Sequence, residues 1–231
     1  MSTKQWTREE LKKVSESLEG RPPQEALKWV ADNFGRDEFA LACSLGELVL
    51  LDMLVKIKRD ARIFVIDTGL LFKETYALKE KAEARYSIKL EVYSSPVSLD
   101  EMEREHGAEL WKTDPDRCCE IRKVAPLKKV LSGLKLWISG IRREQSPTRA
   151  NAPIVGFDEK YGLIKVNPLA GWTEKQVWDY ICANDVPYNE LLDKGYPSIG
   201  CEKCTQKVCP GEDQRSGRWA GFEKTECGLH K

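Results

Sequence analysis

Residues 39–69 read FALACSLGELVLLDMLVKIKRDARIFVIDTG, and within this stretch the hydrophobic pattern changes period twice. FALACSL (39–45) is a short, nearly continuous apolar run, as expected of a strand buried on both faces. Gly46 interrupts it. ELVLLDMLVKI (47–57) then carries apolar residues at helical spacing, and RIFVID (62–67) is a second buried strand that stops at Thr68-Gly69. Strand, turn, helix and strand in such quick succession form a crossover unit, whose two strands must run parallel and whose hand is right-handed.

The same alternation extends in both directions. Upstream, Pro22-Pro23 precedes QEALKWVADNF, where Ala26, Leu27, Val30, Ala31 and Phe34 recur at helical spacing and Gly35 supplies a stop. Downstream come a helical stretch, KETYALKEKAEARY (73–86), and apolar runs at IKLEVYS (88–94), LKLWISGI (134–141) and GLIKVNPL (162–169). The predicted fold is α/β: a mostly parallel sheet with helices on both faces and a ligand site at the carboxyl ends of its strands. Thr173-x-x-Gln176 is a capping box opening EKQVWDYICAND, on which Val177, Tyr180 and Ile181 share a face. Beyond it Gly, Pro, Cys and Arg dominate and the periodicity is lost, so this part needs something besides an apolar core to order it. A metal site is the simplest such device. The chain reads as one domain, 1–231, with 206–231 a mobile tail.

Composition narrows the function. Thirty-seven basic residues balance 37 acidic ones among 231, so no global field draws the protein to nucleic acid or an anionic membrane. No apolar run reaches the roughly 18 residues of a membrane span. The N-terminus MSTKQWTREELKK has no apolar signal core, which leads to the expectation of a cytoplasmic protein. Two histidines, His106 and His230, exclude chemistry that needs several imidazoles.

In a reducing cytosol, eight cysteines are ligands or catalysts more readily than disulfides. Cys118-Cys119 and Cys201-x-x-Cys204 form two deliberate-looking pairs, and four thiolates suit a structural zinc or an iron–sulfur cluster. Spacing leaves both open. The adjacent pair follows Asp114-Pro115-Asp116-Arg117, which reads as a helix start, with CCEIRKVAPL continuing to Pro126. Cys43 in an apolar strand and Cys182 on the apolar side of a helix read as small hydrophobes, and Cys209 lies near the second pair. A last thiol stands in TECGLHK (225–231), where tails are poorly tied down and a cysteine is a moving part or an accident.

Cations cluster on turns rather than helix faces: Arg142, Arg143 and Arg149 in GIRREQSPTR, Arg215 and Arg218 in RSGR, and Lys123 one helical turn past Cys119. Guanidinium forks bind phosphate and sulfate bidentately, and the turn at Gly46 offers backbone N–H groups at a helix start. Together they point to an anionic, phosphate-like substrate.

These segments resemble a known family. CC-x-x-R-K (118–123), GxRRxQSPTR (140–149), KVNPLAGWT (165–173), GYPSIGC-x-x-CT (195–205), GEDxRSGRWAG (211–221) and KTECGLH (224–230) occur in the order found in bacterial sulfonucleotide reductases. They look most like the iron–sulfur adenylylsulfate (APS) reductases of assimilatory sulfate reduction. The resemblance implies an adenine-nucleotide α-hydrolase-like fold related to PP-loop ATP pyrophosphatases. It also implies a [4Fe-4S] cluster on Cys118, Cys119, Cys201 and Cys204, and Cys227 as the catalytic nucleophile. Substrate contacts would come from Ser44, Gly46, Thr68, Lys123, Gly140, Arg149, Arg215 and Arg218. Thioredoxin or a similar dithiol protein would be the reductant and the protein a homo-oligomer. Members lacking both cysteine pairs use 3'-phospho-APS, so the pairs favour APS here, with phospho-APS as main or second substrate the alternative.

One departure concerns the nucleotide loop, which in the family reads like S-[FL]-G-A-E-D-x-V-x-L. Here it reads Ser44-Leu45-Gly46-Glu47-Leu48-Val49-Leu50, about two residues short, which puts its geometry around the substrate in question. Two rivals are a tRNA-thiolating PP-loop ATP pyrophosphatase, which needs an SGGxDS-type loop and a basic surface, and a non-catalytic zinc module.

Overall fold

The computed structural model describes residues 5–224 and 226–229. Two helices, α1 (Arg8–Leu18) and α2 (Pro23–Asn33), lead into β1 (Phe39–Ala42). Then α3 (Val49–Ile57) connects to β2 (Arg62–Asp67), and α4 (Lys73–Tyr86) to β3 (Glu91–Ser94). Three short helices follow: α5 (Leu99–His106), α6 (Leu110–Thr113) and α7 (Pro115–Cys119). The last runs through a π-helical turn, Glu120–Val124, into α8 (Ala125–Leu131). After β4 (Leu136–Ile138) come β5 (Val155–Asp158), β6 (Leu163–Val166) and α9 (Glu174–Asn184).

Among the described residues the strands form one sheet in the order β3-β2-β1-β4-β6-β5. β1 pairs parallel with β2 and β4, β2 with β3, and β4 with β6, while β5 lies antiparallel to β6. The mostly parallel sheet predicted from the sequence is therefore the one formed. β5 was not predicted; it is a short edge strand that closes a hairpin onto β6, with Gly162 at φ +71° in the turn. α1 also went unread, although Thr7 and Glu10 form a reciprocal capping box at its start.

Alternate residues of the inner strands feed two separate cores. Phe39, Leu41, Ile63, Val65, Leu136 and Ile138 pack on one side against apolar faces of the flanking helices. Ala40, Phe64, Trp137 and Leu163 point the other way and meet Leu127, Val130 and Leu131 of α8. This two-sided burial is why the strands read as continuous apolar runs rather than alternating ones.

Two expectations need correction. The cysteine-bearing helix was expected to stop at Pro126, and it continues to Leu131. The π turn spreads its hydrogen bonds to i→i+5, so Pro126 falls at the second position of the following α segment, where its missing N–H is not required. Cys182 was expected on the apolar side of α9 and is exposed. The buried stripe runs through Val177 and Ile181, and the next residue lies about 100° further round.

The turn between β1 and α3 is held from a distance. Asn189, itself buried, donates its Nδ2 to the Leu45 carbonyl (3.2 Å) and to Thr75 Oγ1 (3.1 Å), and its backbone N–H bonds the Gly46 carbonyl (2.9 Å). Leu45 sits at φ 55°, a left-handed conformation costly for a branched side chain, so this turn is strained and needs the support. Asn189→Ala should lower the stability by about 1–3 kcal/mol in urea unfolding, the cost of stranding buried partners.

Candidate active site

A cavity of about 290 Å³ opens at the carboxyl ends of β1, β2 and β4. Ser44, Gly46, Thr68 and Gly140 line it, and so do Lys123, Arg149, Arg215, Arg218 and Cys227. Residues drawn from six separate stretches of sequence thus face one space. Its floor is strand ends and tight turns, and its cationic wall comes from the π turn before α8 (Lys123), the short helical turn after β4 (Arg149) and the irregular C-terminal segment (Arg215 and Arg218).

On the floor, the short loop after β1 is arranged around a buried carboxylate. Glu47 Oε2 accepts the Val49 N–H (2.8 Å), so one amide at the start of α3 is satisfied internally. Burial holds this carboxyl above its ordinary range, although the Val49 amide and nearby Arg142 oppose the shift. Arg142 is itself buried, lines the cavity, and its Nε has no hydrogen-bond partner among the described residues. A guanidinium held in that condition beside a cavity is set to receive an anion.

The two cysteine pairs lie against the wall. Cys118, Cys119 and Cys201 are buried and Cys204 is half-buried. Burial, reinforced by the neighbouring sulfurs, pushes Cys118 up to about 12 and Cys204 to about 11. Cys201 differs: burial opposes its thiolate, yet Lys123, the Thr68 hydroxyl and Arg218 together bring it below the ordinary range. The Thr68 hydroxyl stands 3.3 Å from the Cys201 sulfur. Lys123 is buried too; desolvation disfavours its charge, but Cys201, Cys227 and Cys119 outweigh that and hold the ammonium above the usual lysine range. Among the described residues no three His, Cys, Asp or Glu side chains are grouped as they would be around a single metal ion. Cys209 is exposed and Cys43, just past β1, lines the cavity with its thiol pushed up to about 12 by burial.

The cationic wall is held by backbone pairing. Thr205 bridges to Arg218, the Gln206 N–H bonds the Gly217 carbonyl (2.8 Å), and the Trp219 N–H bonds the Cys204 carbonyl (3.1 Å). Arg218 lies over the Trp219 ring, 4.5 Å from its centroid, and flat against Gly200, where a Cβ would overlap the guanidinium. Arg215 stands close to Arg149 and Arg218, and burial plus their repulsion lower its pKa. Such crowding of cations persists when an anion relieves it.

Cys227 and Leu229, among the last described residues, reach the same cavity. Lys224 pairs with Asp116, the Gly228 carbonyl accepts from Lys160, and Leu229 packs beside the α8-side core. Cys227 lies between these anchors and faces the cavity. His230 lies outside the described residues.

Residues 38–207 match the phosphoadenosine phosphosulfate reductase domain. The chain belongs to the phosphoadenosine phosphosulfate reductase family. Within this reductase family, it is 45% identical to the adenosine 5'-phosphosulfate reductase of Geobacillus sp. (strain WCH70), covering 97% of both chains. The phosphate complex of phosphoadenylyl-sulfate (PAPS) reductase from Candida auris superposes with TM-score 0.77 at 33% identity, covering 90% of this chain and 100% of that one. FMN adenylyltransferase from Candida glabrata, at 16% identity and TM-score 0.56, covers 85% of this chain and 67% of its own. That likeness concerns the fold, and it agrees with the PP-loop relationship expected of this reductase.

Arg122 and Glu226 stand inside the sequence motifs without a role that those motifs disclose. Arg122 is buried and donates Nε to the Thr68 carbonyl (2.7 Å) while its Nη1 reaches the Val97 carbonyl, fixing the turn that carries Thr68. Its adjacency to Lys123 in CCEIRK was the available signal. Arg122→Leu would strand both carbonyls, and urea unfolding should register a loss of roughly 2–4 kcal/mol.

Proposed function

We propose that this protein reduces adenylylsulfate (APS) to sulfite and AMP in sulfate assimilation, with Cys227 as nucleophile and a dithiol protein such as thioredoxin as reductant. What carries the reading is that Cys227 lines the same cavity as Lys123, Arg149, Arg215 and Arg218. A nucleophilic sulfur among fixed cations is what transfer from a phosphosulfate anhydride requires.

The Cys227 thiolate attacks the sulfonyl sulfur of APS. An S–S bond forms, the S–O bond to phosphate breaks, and AMP departs with the bonding pair. Lys123, Arg215 and Arg218 bear the charge that builds on the phosphate oxygens as it leaves, and Arg149 stands beside them. The thioredoxin thiolate then attacks the sulfur of Cys227, sulfite leaves with the electron pair, and the second thiol of the reductant resolves the mixed disulfide. Cys227 returns as a thiol and the dithiol supplies both electrons. A thiol that meets a nucleotide in one step and a protein in the next belongs on a tail able to swing. Of the segment 206–231 expected to be that tail, residues up to Trp219 are paired into the cavity wall, so we assign the swing to the part beyond Trp219.

Cys118, Cys119, Cys201 and Cys204 would hold a [4Fe-4S] cluster. Four sulfur donors, without imidazole or carboxylate, suit iron–sulfur ligation, and Lys123 and Arg218 beside Cys201 would offset its negative charge. When bound, the cluster would supply cross-linking and electrostatic balance rather than net electrons. The cytoplasm and a homo-oligomeric state remain part of this proposal, and the structure has no helix long and apolar enough to cross a membrane among its described residues.

Intact mass spectrometry of anaerobically purified protein, incubated with APS or phospho-APS and no dithiol, is the test. A sulfonate adduct on Cys227 is expected, formed faster with APS; its absence on protein with a full cluster would reject the function, and faster reaction with phospho-APS would reverse the substrate order. Cys227→Ser should keep the brown chromophore and form no adduct. Cys204→Ser should lose the chromophore; retention of full iron and colour would overturn the ligand set.

A further inference from the structure

Glu226 immediately precedes Cys227, and its carboxylate is buried at 4% exposure. Arg149 takes it in a fork, Nε to Oε1 and Nη2 to Oε2, both at 2.8 Å. Arg215 Nη2 adds a bond to Oε2 at 3.1 Å, and Thr148 and Ser146 hydroxyls approach Oε1 at 3.3 and 3.5 Å. Burial works against the carboxylate, but Arg149 and then Arg215 hold its pKa below the ordinary range. The third arm of Arg149 is also engaged, with Nη1 donating to Gln145 Oε1 at 2.6 Å.

Every nitrogen of the Arg149 guanidinium is therefore committed, two to the tail and one to Gln145. Gln145 in turn accepts the Arg142 backbone N–H (3.1 Å), so the pair is braced against the turn after β4. The neighbouring cations are placed differently: Arg218 has long contacts to Ser198 and the Ile199 carbonyl, and its Nε has no partner among the described residues. Adjacent α-carbons are about 3.8 Å apart, so whatever fixes Glu226 fixes the backbone of Cys227.

We propose that Glu226 is a positioning residue: its bidentate pair with Arg149 latches the tail so that the Cys227 thiol faces the cavity, and opening the latch exposes that thiol. The assignment of the thiol's chemistry rests on the function proposed above; the latch itself does not. Arg149 thereby acts first on the tail, while Lys123 and Arg218 remain directed at the phosphosulfate.

The test alkylates full-length protein with iodoacetamide and follows each cysteine by peptide mass spectrometry. Exposed Cys182 and Cys209 are internal references for the state of the body. Glu226→Gln and Arg149→Gln change the charge near Cys227 in opposite senses, so thiol ionisation would drive its reactivity in opposite directions. Loss of the latch drives both the same way. Both variants should speed Cys227 alkylation roughly tenfold or more, as expected when a charge-assisted fork is lost, with Cys182 and Cys209 unchanged and Glu226→Asp in between. An unchanged Cys227 rate, opposite effects in the two variants, or a rise shared by Cys182 would each overturn the latch. With APS, the single-turnover rate of adduct formation in Glu226→Gln should fall while its half-saturating concentration stays near that of the wild type; the reverse split would also overturn it. If the wild type forms no adduct, the proposed function fails, and the alkylation result still decides the latch.

Discussion

A buried ammonium must be surrounded by something that repays its desolvation, and Lys123 is such a group. The sulfurs of Cys201, Cys227 and Cys119 surround it, Cys201 being the one whose thiolate is favoured in return, and they arrive from three directions: the helix that bears Lys123, the irregular segment after α9, and the chain's last described residues. Electrostatic satisfaction of one side chain thus joins parts of the chain that share little apolar surface. Beyond α9 the fully buried apolar side chains are few, Val186, Leu191 and Trp219 among them, whereas Thr205, Arg218 and Glu226 are buried and polar. This half of the site is assembled by charge and hydrogen bonds on a sheet that is assembled by hydrophobic burial.

That division governs what the sequence discloses. Strands buried on both faces write themselves as apolar runs, so RIFVID (62–67) and KETYALKEKAEARY (73–86) became β2 and α4 at their expected bounds. The runs at 39–45 and 134–141 overshoot β1 and β4, because the residues past the ladder, such as Cys43, Ser139 and Ile141, continue into the cavity lining. β5 escaped notice because an edge strand with one face in solvent and a glycine inside has little pattern to offer. Capping boxes at Thr7 and Ser98 were legible signals for α1 and α5 that the hydrophobic pattern overshadowed.

For the site, a residue that acts on an external ligand was easier to foresee than one that acts on the protein itself. The cations on turns and the paired cysteines stood out by composition. Arg122, turned inward onto carbonyls of Thr68 and Val97, and Glu226, closing on Arg149 from the far end of the chain, did not, because their partners are 54 and 77 residues away. Nor does any local pattern reveal that Asn189 holds the strained turn at Leu45.

The π turn at Glu120–Val124 separates the adjacent cysteines from α8. A helix advances about 100° per residue, so the extra residue carried in a wide turn sets the rotational phase of everything on one side against the other. Cys118 and Cys119 are buried on one side of it, Cys118 against Met102 and Leu110, while Leu127, Val130 and Leu131 are buried against Trp137 and the sheet. The turn is a phase coupler: it lets one continuous helix answer to two surfaces whose angular demands a regular α-helix would not reconcile.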